Sequence, residues 1–232
     1  MAGAIKLGDV DFFGQISTSK LHLTKSAKVC KDLSRGEVFS EPDECRHKVY
    51  IVEDGQVRLY QLSADGREQT LDILSTGAIF GDLTPGSQEE PLCVFAAAEK
   101  EGTCVCIIDK KQFFALIATK PKLALEIIVD LARRLSYAQE KIAELSLADA
   151  KVRLLSELVR LSRSFGMEDG EVIRFKRRFT HEQLATLIGT TRETVTKTIK
   201  AINDDCQGCV TMDKNHYFVL DKNKVLEVIA PL

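Results

Sequence analysis

The sequence predicts an α+β chain, two small domains joined by a long helix, and three observations carry that prediction. Residues 28–108 break into short apolar runs separated by turn signals, the spacing of a β-sandwich or barrel. Pro121 then opens a segment whose apolar residues recur at intervals of three and four, the period of one long amphipathic helix. Residues 180–200 read as two helices meeting at a glycine turn, with two strand-like runs after them. At 232 residues, two small domains suit the length better than one.

Each element follows in order. Residues 1–22 carry a weak pattern, and a short helical or irregular opening is expected there. Tyr50 and Val52, then Val57 and Leu59, flank the turn Glu53-Asp54-Gly55. Leu59 to Gln61 and Gln69 to Ile73 flank Asp65-Gly66, a dipeptide favoured in hairpins where both central residues take positive φ. Val94 to Ala98 and Thr103 to Ile108 supply later strands around Gly102. In the long helix, Ile128, Leu131, Leu135, Ala138, Ile142 and Leu145 form a coiled-coil seam about 26 Å long. That stripe would pack either on its own domain or on a second copy. The charged outward faces (Arg133, Arg134, Glu140, Lys141, Glu144) favour the second copy. Asp149 interrupts the seam and is placed to cap a helix over residues 150–165, which puts a hinge at residues 146–149. Val172 to Phe175 alternates weakly. Val210 to Met212 and Tyr217 to Leu220, joined through Asp213-Lys214-Asn215, read as the hairpin wing of a winged helix-turn-helix, and Lys222 to Ile229 as a last short helix.

The most informative stretch is Thr180 to Lys200. Thr180 with Gln183 three residues on is a capping-box start. Leu184, Leu187 and Ile188 give the first helix a buried stripe, and Gly189 permits a left-handed turn. Thr191 then caps a second helix that buries Val195 and Ile199 and turns Arg192, Glu193 and Lys197 outward near its start. Arginine matches guanine O6/N7 and a carboxylate matches cytosine N4, and a helix-turn-helix reads bases with the first part of its second helix. The bland alternative is an ordinary helical hairpin with a solvated charged face.

Composition bounds the function. Hydrophobic content of 44% and charged content of 28% are ordinary for a globular protein. No apolar run approaches the roughly 20 residues that span a bilayer, and no signal-peptide pattern opens the chain, so no membrane partner and a cytoplasmic residence are expected. Seven cysteines in no paired framework fit a reducing compartment. The net charge of −2 divides unevenly. Residues 151–232 hold 14 Lys+Arg against 11 Asp+Glu, whereas residues 1–150 hold 18 against 23. The positive part coincides with the two-helix segment and with Lys176-Arg177-Arg178 before it, as phosphate affinity requires.

The run Gly189-Thr-Thr-Arg-Glu-Thr-Val resembles the recognition helix of the Crp/Fnr superfamily of bacterial transcription regulators. Four upstream stretches resemble the same family in the right order: Gly36-Glu-Val-Phe, Val49 to Tyr60, Asp65 to Leu74 and Gly77 to Leu83. Glu41-Pro42-Asp43-Glu44 departs from the pattern by lacking a glycine. The resemblance implies a double-stranded β-helix (jelly roll) sensor domain over residues 1–120. A dimerisation helix and hinge would follow over residues 121–148, and a winged helix-turn-helix DNA-binding domain over residues 149–232. It implies a homodimer on a palindrome of TGTGA-like half-sites, with RNA polymerase as a further partner and Arg192 and Glu193 as base readers. Family members carry an arginine as third reader where this chain has Lys197, whose unforked ammonium discriminates less. Thr180, His181 and Thr191 stand where relatives hold phosphates; with Arg177 and Arg178 they would set position rather than sequence.

The sensor pocket implied by the resemblance comprises Phe80, Gly81, Asp82, Leu83, Cys93, Arg133 and Arg134. Gly81-Asp82 is a fair match to the cyclic-nucleotide cassette, but Glu89-Glu-Pro-Leu-Cys-Val-Phe95 contains no arginine to meet a phosphate. Ala138 and Gln139 replace the expected adenine-contacting hydroxyls. These features speak against cyclic AMP, while Arg133 or Arg134 remains available to another anionic effector. No cluster of amino-terminal cysteines supports an iron–sulfur centre. No histidine lies in Phe80 to Leu83 to hold haem, and no metal site is assigned. Cys104 and Cys106 share a strand face, and Cys206-Gln-Gly-Cys209 is a C-x-x-C after the recognition helix; redox or metal control through them, or regulation by abundance without ligand, are alternatives. The four histidines (22, 47, 181, 216) are scattered, which argues against a metal-dependent jelly-roll enzyme. A pure ligand-binding module would leave the two-helix segment idle.

Overall fold

The structure is a computed structural model that describes residues 29–42, 46–84 and 94–229. The expectation for residues 1–22 lies outside the described residues, as do Cys45 and Cys93. Two compact units divide between Ser136 and Tyr137, inside the long helix.

The first unit holds two four-stranded antiparallel sheets. One has the order β1 (Val29–Leu33), β8 (Thr103–Asp109), β3 (Lys48–Asp54), β6 (Ile79–Gly81). The other runs β2 (Val38–Ser40), β7 (Phe95–Ala98), β4 (Gln56–Leu62), β5 (Glu68–Ser75). Chain neighbours such as β3 and β4 sit in different sheets, which makes this the jelly roll. Between the sheets, Leu33, Tyr50, Val52, Phe80 and Val105 meet Val57, Leu74, Ala96 and Ala98. The outer face of the first sheet is also covered. Val49, Ile51, Ile79 and Ile108 pack there against Phe113 of α1 (Lys110–Thr119) and against Leu123 and Ile127 of α2 (Pro121–Leu147). Burial on both faces explains why Val49 to Val52 is a continuous apolar run rather than an alternating one.

Three local expectations change. Helix α1 was not foreseen, although Asp109 caps it by accepting from Lys111 N and Gln112 N. At the β4–β5 turn only Gly66 has positive φ, not both residues of the dipeptide. The loop closes instead through Gly66 N to Ser63 O and Ser63 N to Arg67 O. The cysteines are also not all unpaired. Among the described residues, Cys30 is bonded to Cys106 and Cys206 to Cys209, and Cys104 is half-buried. The first pair forms because β1 and β8 are neighbours and set Cys30 directly opposite Cys106, a pairing that no local signal announces.

In the second unit, α3 (Ala150–Phe165) begins at Asp149, whose side chain accepts from Lys151 N and Val152 N. It buries Leu154, Leu155, Leu158 and Leu161 beneath α4 (His181–Ile188) and α5 (Arg192–Cys206). A four-stranded antiparallel sheet of order β11 (Val210–Met212), β12 (Phe218–Asp221), β10 (Val172–Phe175), β9 (Gly166–Asp169) completes the winged helix-turn-helix, with α6 at Lys222–Ile229. Strand β9 was not foreseen. Phe165, Phe175, Phe179 and Phe218 meet edge to face in this core.

Candidate nucleic-acid interface and sensor cassette

The two-helix segment forms for local reasons. Thr180 Oγ1 accepts from Gln183 N at 3.1 Å, and Gln183 Oε1 accepts from Thr180 N at 2.9 Å, a complete capping box. Helix α4 ends at Gly189, with φ 66° and ψ 50°, a left-handed residue that costs glycine little. Thr191 Oγ1 accepts from Thr194 N at 3.2 Å and starts α5. The buried stripe of α5 is Val195, Thr198 and Ile202; Ile199, expected in the core, is half-buried because the stripe drifts one residue round the helix.

The opposite stripe of α5 carries Arg192, Glu193, Thr196 and Lys197, all exposed. Among the described residues neither Arg192 nor Lys197 takes part in an ion pair within 4 Å. The Glu193 carboxyl is held below its ordinary value by hydrogen bonding to its own backbone and to Thr191, and by the cations Arg192 and Lys197. An open concavity of about 520 Å³ runs beside this stripe, lined by Arg178, Thr180, His181, Arg192, Met212 and His216 among others. His181 Nδ1 lies 2.8 Å from Thr196 Oγ1, tying the start of α4 to α5. Burial and then the Arg192 charge lower the His181 pKa, favouring the neutral ring.

The two arginines before α4 differ. Arg178 is exposed, its guanidinium 5.2 Å from the Tyr217 ring centre. Arg177 is half-buried and stacks on Phe179 at 4.7 Å and Phe165 at 5.4 Å, so its charge is partly turned inward.

The Gly81-Asp82 segment is organised differently. Gly81 ends β6 with φ 106°; a Cβ there would stand 2.5 Å from Lys48 O and 2.9 Å from the Tyr50 ring. Phe80 stacks on Tyr50 in the inter-sheet core, and Leu83 packs against the cluster beneath α1 and α2. Asp82 is buried. Both of its oxygens accept from Lys110 Nζ at 2.8 Å, and it also accepts from Thr84 Oγ1 at 2.7 Å, Thr84 N at 3.2 Å and His47 N at 3.3 Å. Burial pushes this carboxyl up, but Lys110, Thr84 and His47 outweigh it and hold the pKa down to about 2. Sequence reasoning missed Lys110, which lies 28 residues away at the start of α1. Arg133 and Arg134 both pair with Asp130 on their own helix, and no ion pair joins them to the cassette among the described residues.

On α2, Ile128, Leu131, Leu135, Ile142 and Leu145 are 41–65% exposed in the single chain, and Ala138 between them is exposed too. Lys141 and Glu144, expected on the solvated face, are instead half-buried, with Lys141 paired to Glu157 of α3.

Comparison with known proteins agrees with this architecture. A cyclic nucleotide-binding domain model matches residues 30–120, and a Crp-like helix-turn-helix domain model matches residues 152–227. The chain is 30% identical over 171 residues to the CRP-like cAMP-activated global transcriptional regulator of Mycobacterium tuberculosis, spanning 72% of this chain and 74% of that protein. It is 31% identical over 157 residues to the cyclic AMP receptor protein of Thermus thermophilus, 68% of each chain. Among solved structures, a CooA mutant from Carboxydothermus hydrogenoformans superposes with a TM-score of 0.75 at 25% identity, over 88% of each chain. No helix among the described residues is long and apolar enough to cross a membrane. With a jelly roll matched by a cyclic nucleotide-binding domain model, a Crp-like helix-turn-helix domain and regulators rather than enzymes as relatives, the chain belongs to the CRP/FNR family of DNA-binding transcription regulators.

Proposed function

We propose that this regulator binds, as a cytoplasmic homodimer, a palindrome of TGTGA-like half-sites and acts on RNA polymerase from there. The observation that carries the reading is the exposed stripe at the start of α5, where Arg192, Glu193 and Lys197 have no core to serve. Arg192 and Glu193 take base edges in the major groove, and Lys197 takes a guanine with less geometric discrimination. Thr180, His181, Thr191, Arg177 and Arg178 hold backbone phosphates, with Arg178 the more available of the two arginines. The exposed α2 seam supplies the dimer contact, since an apolar stripe of that length is costly to leave in water. Residues 1–120 serve as sensor domain, residues 121–148 as dimerisation helix and hinge around Asp149, and residues 149–232 as the DNA-binding domain.

The sensor controls DNA binding through an effector other than cyclic AMP. Asp82 is sealed by Lys110, and the segment that should meet the phosphate has no arginine. Native mass together with fluorescence anisotropy on a TGTGA palindrome tests the main reading. A dimer that prefers the palindrome over random duplex is expected; a monomer indifferent to both overturns it.

The sulfur pairs Cys30–Cys106 and Cys206–Cys209 favour a second reading, redox control. An operator affinity that changes on dithiothreitol treatment, and no longer does so in Cys206→Ser, supports it; an unchanged affinity rejects it.

A further inference from the structure

Helix α3 carries a carboxylate in its apolar stripe. Glu157 lies among Leu154, Leu155, Leu158 and Leu161, and its side chain has no exposed surface. A buried carboxylate persists only when paired and hydrogen-bonded. Its partners come from two helices. Arg160, one turn on in α3, reaches both oxygens, with Nε 3.3 Å from Oε2. Lys141 Nζ of α2 lies 2.6 Å from Oε2, an ion pair whose angles fall short of a directed hydrogen bond. The Tyr137 hydroxyl of α2 donates to the same oxygen at 3.3 Å. The Arg160 guanidinium stacks 4.3 Å from the Tyr137 ring centre, and Glu144 approaches Lys141 at 3.7 Å. All of these residues belong to the second compact unit.

The arrangement has a directional consequence. Tyr137, Lys141 and Glu144 form one stripe of α2, at intervals of four and three. Ala138, Ile142 and Leu145 form the adjacent stripe, exposed and assigned to the dimer seam. The same stretch of about two and a half turns therefore carries the Glu157 contact on one stripe and, about 100° round the helix, the stripe assigned to the second copy. An apolar contact at Glu157 would tolerate sliding and rotation of α2 on α3. A carboxylate with an ammonium, a phenol and a guanidinium around it accepts one register. Helix α3 in turn packs under α4 and α5, and Lys151 of α3 pairs with Asp205 of α5.

We infer that Glu157, with Tyr137, Lys141 and Arg160, is a positioning cluster that fixes the dimer seam to the recognition helix and so sets which half-site spacing the dimer accepts. This rests on the dimer reading above. The hinge at residues 146–149 then does not set the spacing alone, because the helix before it is bound sideways to the helix after it.

The test uses the full-length chain and a series of TGTGA palindromes at the preferred half-site spacing and with one or two base pairs added or removed, plus a single half-site duplex. Glu157→Gln keeps the volume and removes the charge; Lys141→Met and Tyr137→Phe leave the α3 core untouched. Glu157→Gln and Lys141→Met are expected to flatten the preference for the best spacing by roughly 2- to 30-fold. Tyr137→Phe should have a smaller effect. Half-site affinity and native mass should stay as in the parent. A spacing profile unchanged in both charge variants overturns the inference. So does an equal loss on every duplex, half-site included, which would mark a purely structural role. A parent protein that is monomeric, or shows no spacing preference, overturns the dimer reading first and this inference with it.

Discussion

The start of α5 and the segment after β6 each place a carboxylate and a cation at the end of an element, and they treat those charges in opposite ways. On α5, Arg192 and Lys197 stand in solvent, and the core beneath is made by Val195, Thr198 and Ile202. The buried core of α5 does not include the charged stripe, so Arg192 and Lys197 are open to a partner. At Gly81-Asp82, the Asp82 carboxylate is closed in by Lys110, Thr84 and His47 and serves the jelly roll itself. Charged side chains stay open to a partner where the fold leaves them in solvent, and are closed off where a neighbour has taken them.

Three measurements break or sharpen the contrast. Replacement of Arg192 with alanine should weaken binding to a TGTGA palindrome by about 1–3 kcal/mol with little loss on random duplex. Equal losses on both, read by anisotropy, would remove Arg192 from base reading. Asp82→Asn should cost about 2 kcal/mol of stability at pH 7, because the folded carboxyl titrates near 2 against an ordinary 3.8. The sign follows from that depression: the contribution is present above about pH 4 and is lost as pH falls through about 2. Urea unfolding at several pH values checks it, and a gap between parent and variant that does not narrow toward pH 2 would show that the ion pair is not its source. The smallest effect belongs to Arg178→Ala, which should weaken every duplex alike and lower the slope of log affinity against log salt by about 1.8, about 0.9 for each protomer of the dimer. A loss confined to one sequence would make Arg178 a base reader instead.

Legibility differed between elements for physical reasons. The capping box at Thr180, the left-handed Gly189 and the Thr191 cap are contacts between residues three or four apart, and each was readable as a string. The exposed apolar stripe of α2 was readable because a helix repeats its faces by period alone. Sequence reasoning missed α1 and β9 and misassigned the β4–β5 turn, since short elements carry few repeats. It also set Lys141 and Glu144 on the solvated face. The apolar stripe of α3 did hold a clue, a glutamate at the spacing of its leucines, but its partners lie on another helix.

By itself, the sequence determined the jelly-roll fold, the long helix after Pro121, the helix-turn-helix with its outward Arg192, Glu193 and Lys197, and the family. These rest on local periodicity, caps and motifs, whose causes sit within a few residues. Only the tertiary structure decided that Cys30 bonds Cys106 across 76 residues, that Lys110 closes Asp82, and that Lys141 and Tyr137 enclose Glu157. Each of those contacts exists because sheet order or helix packing brings distant residues together, and a charge or thiol is then paired by whatever the fold places beside it.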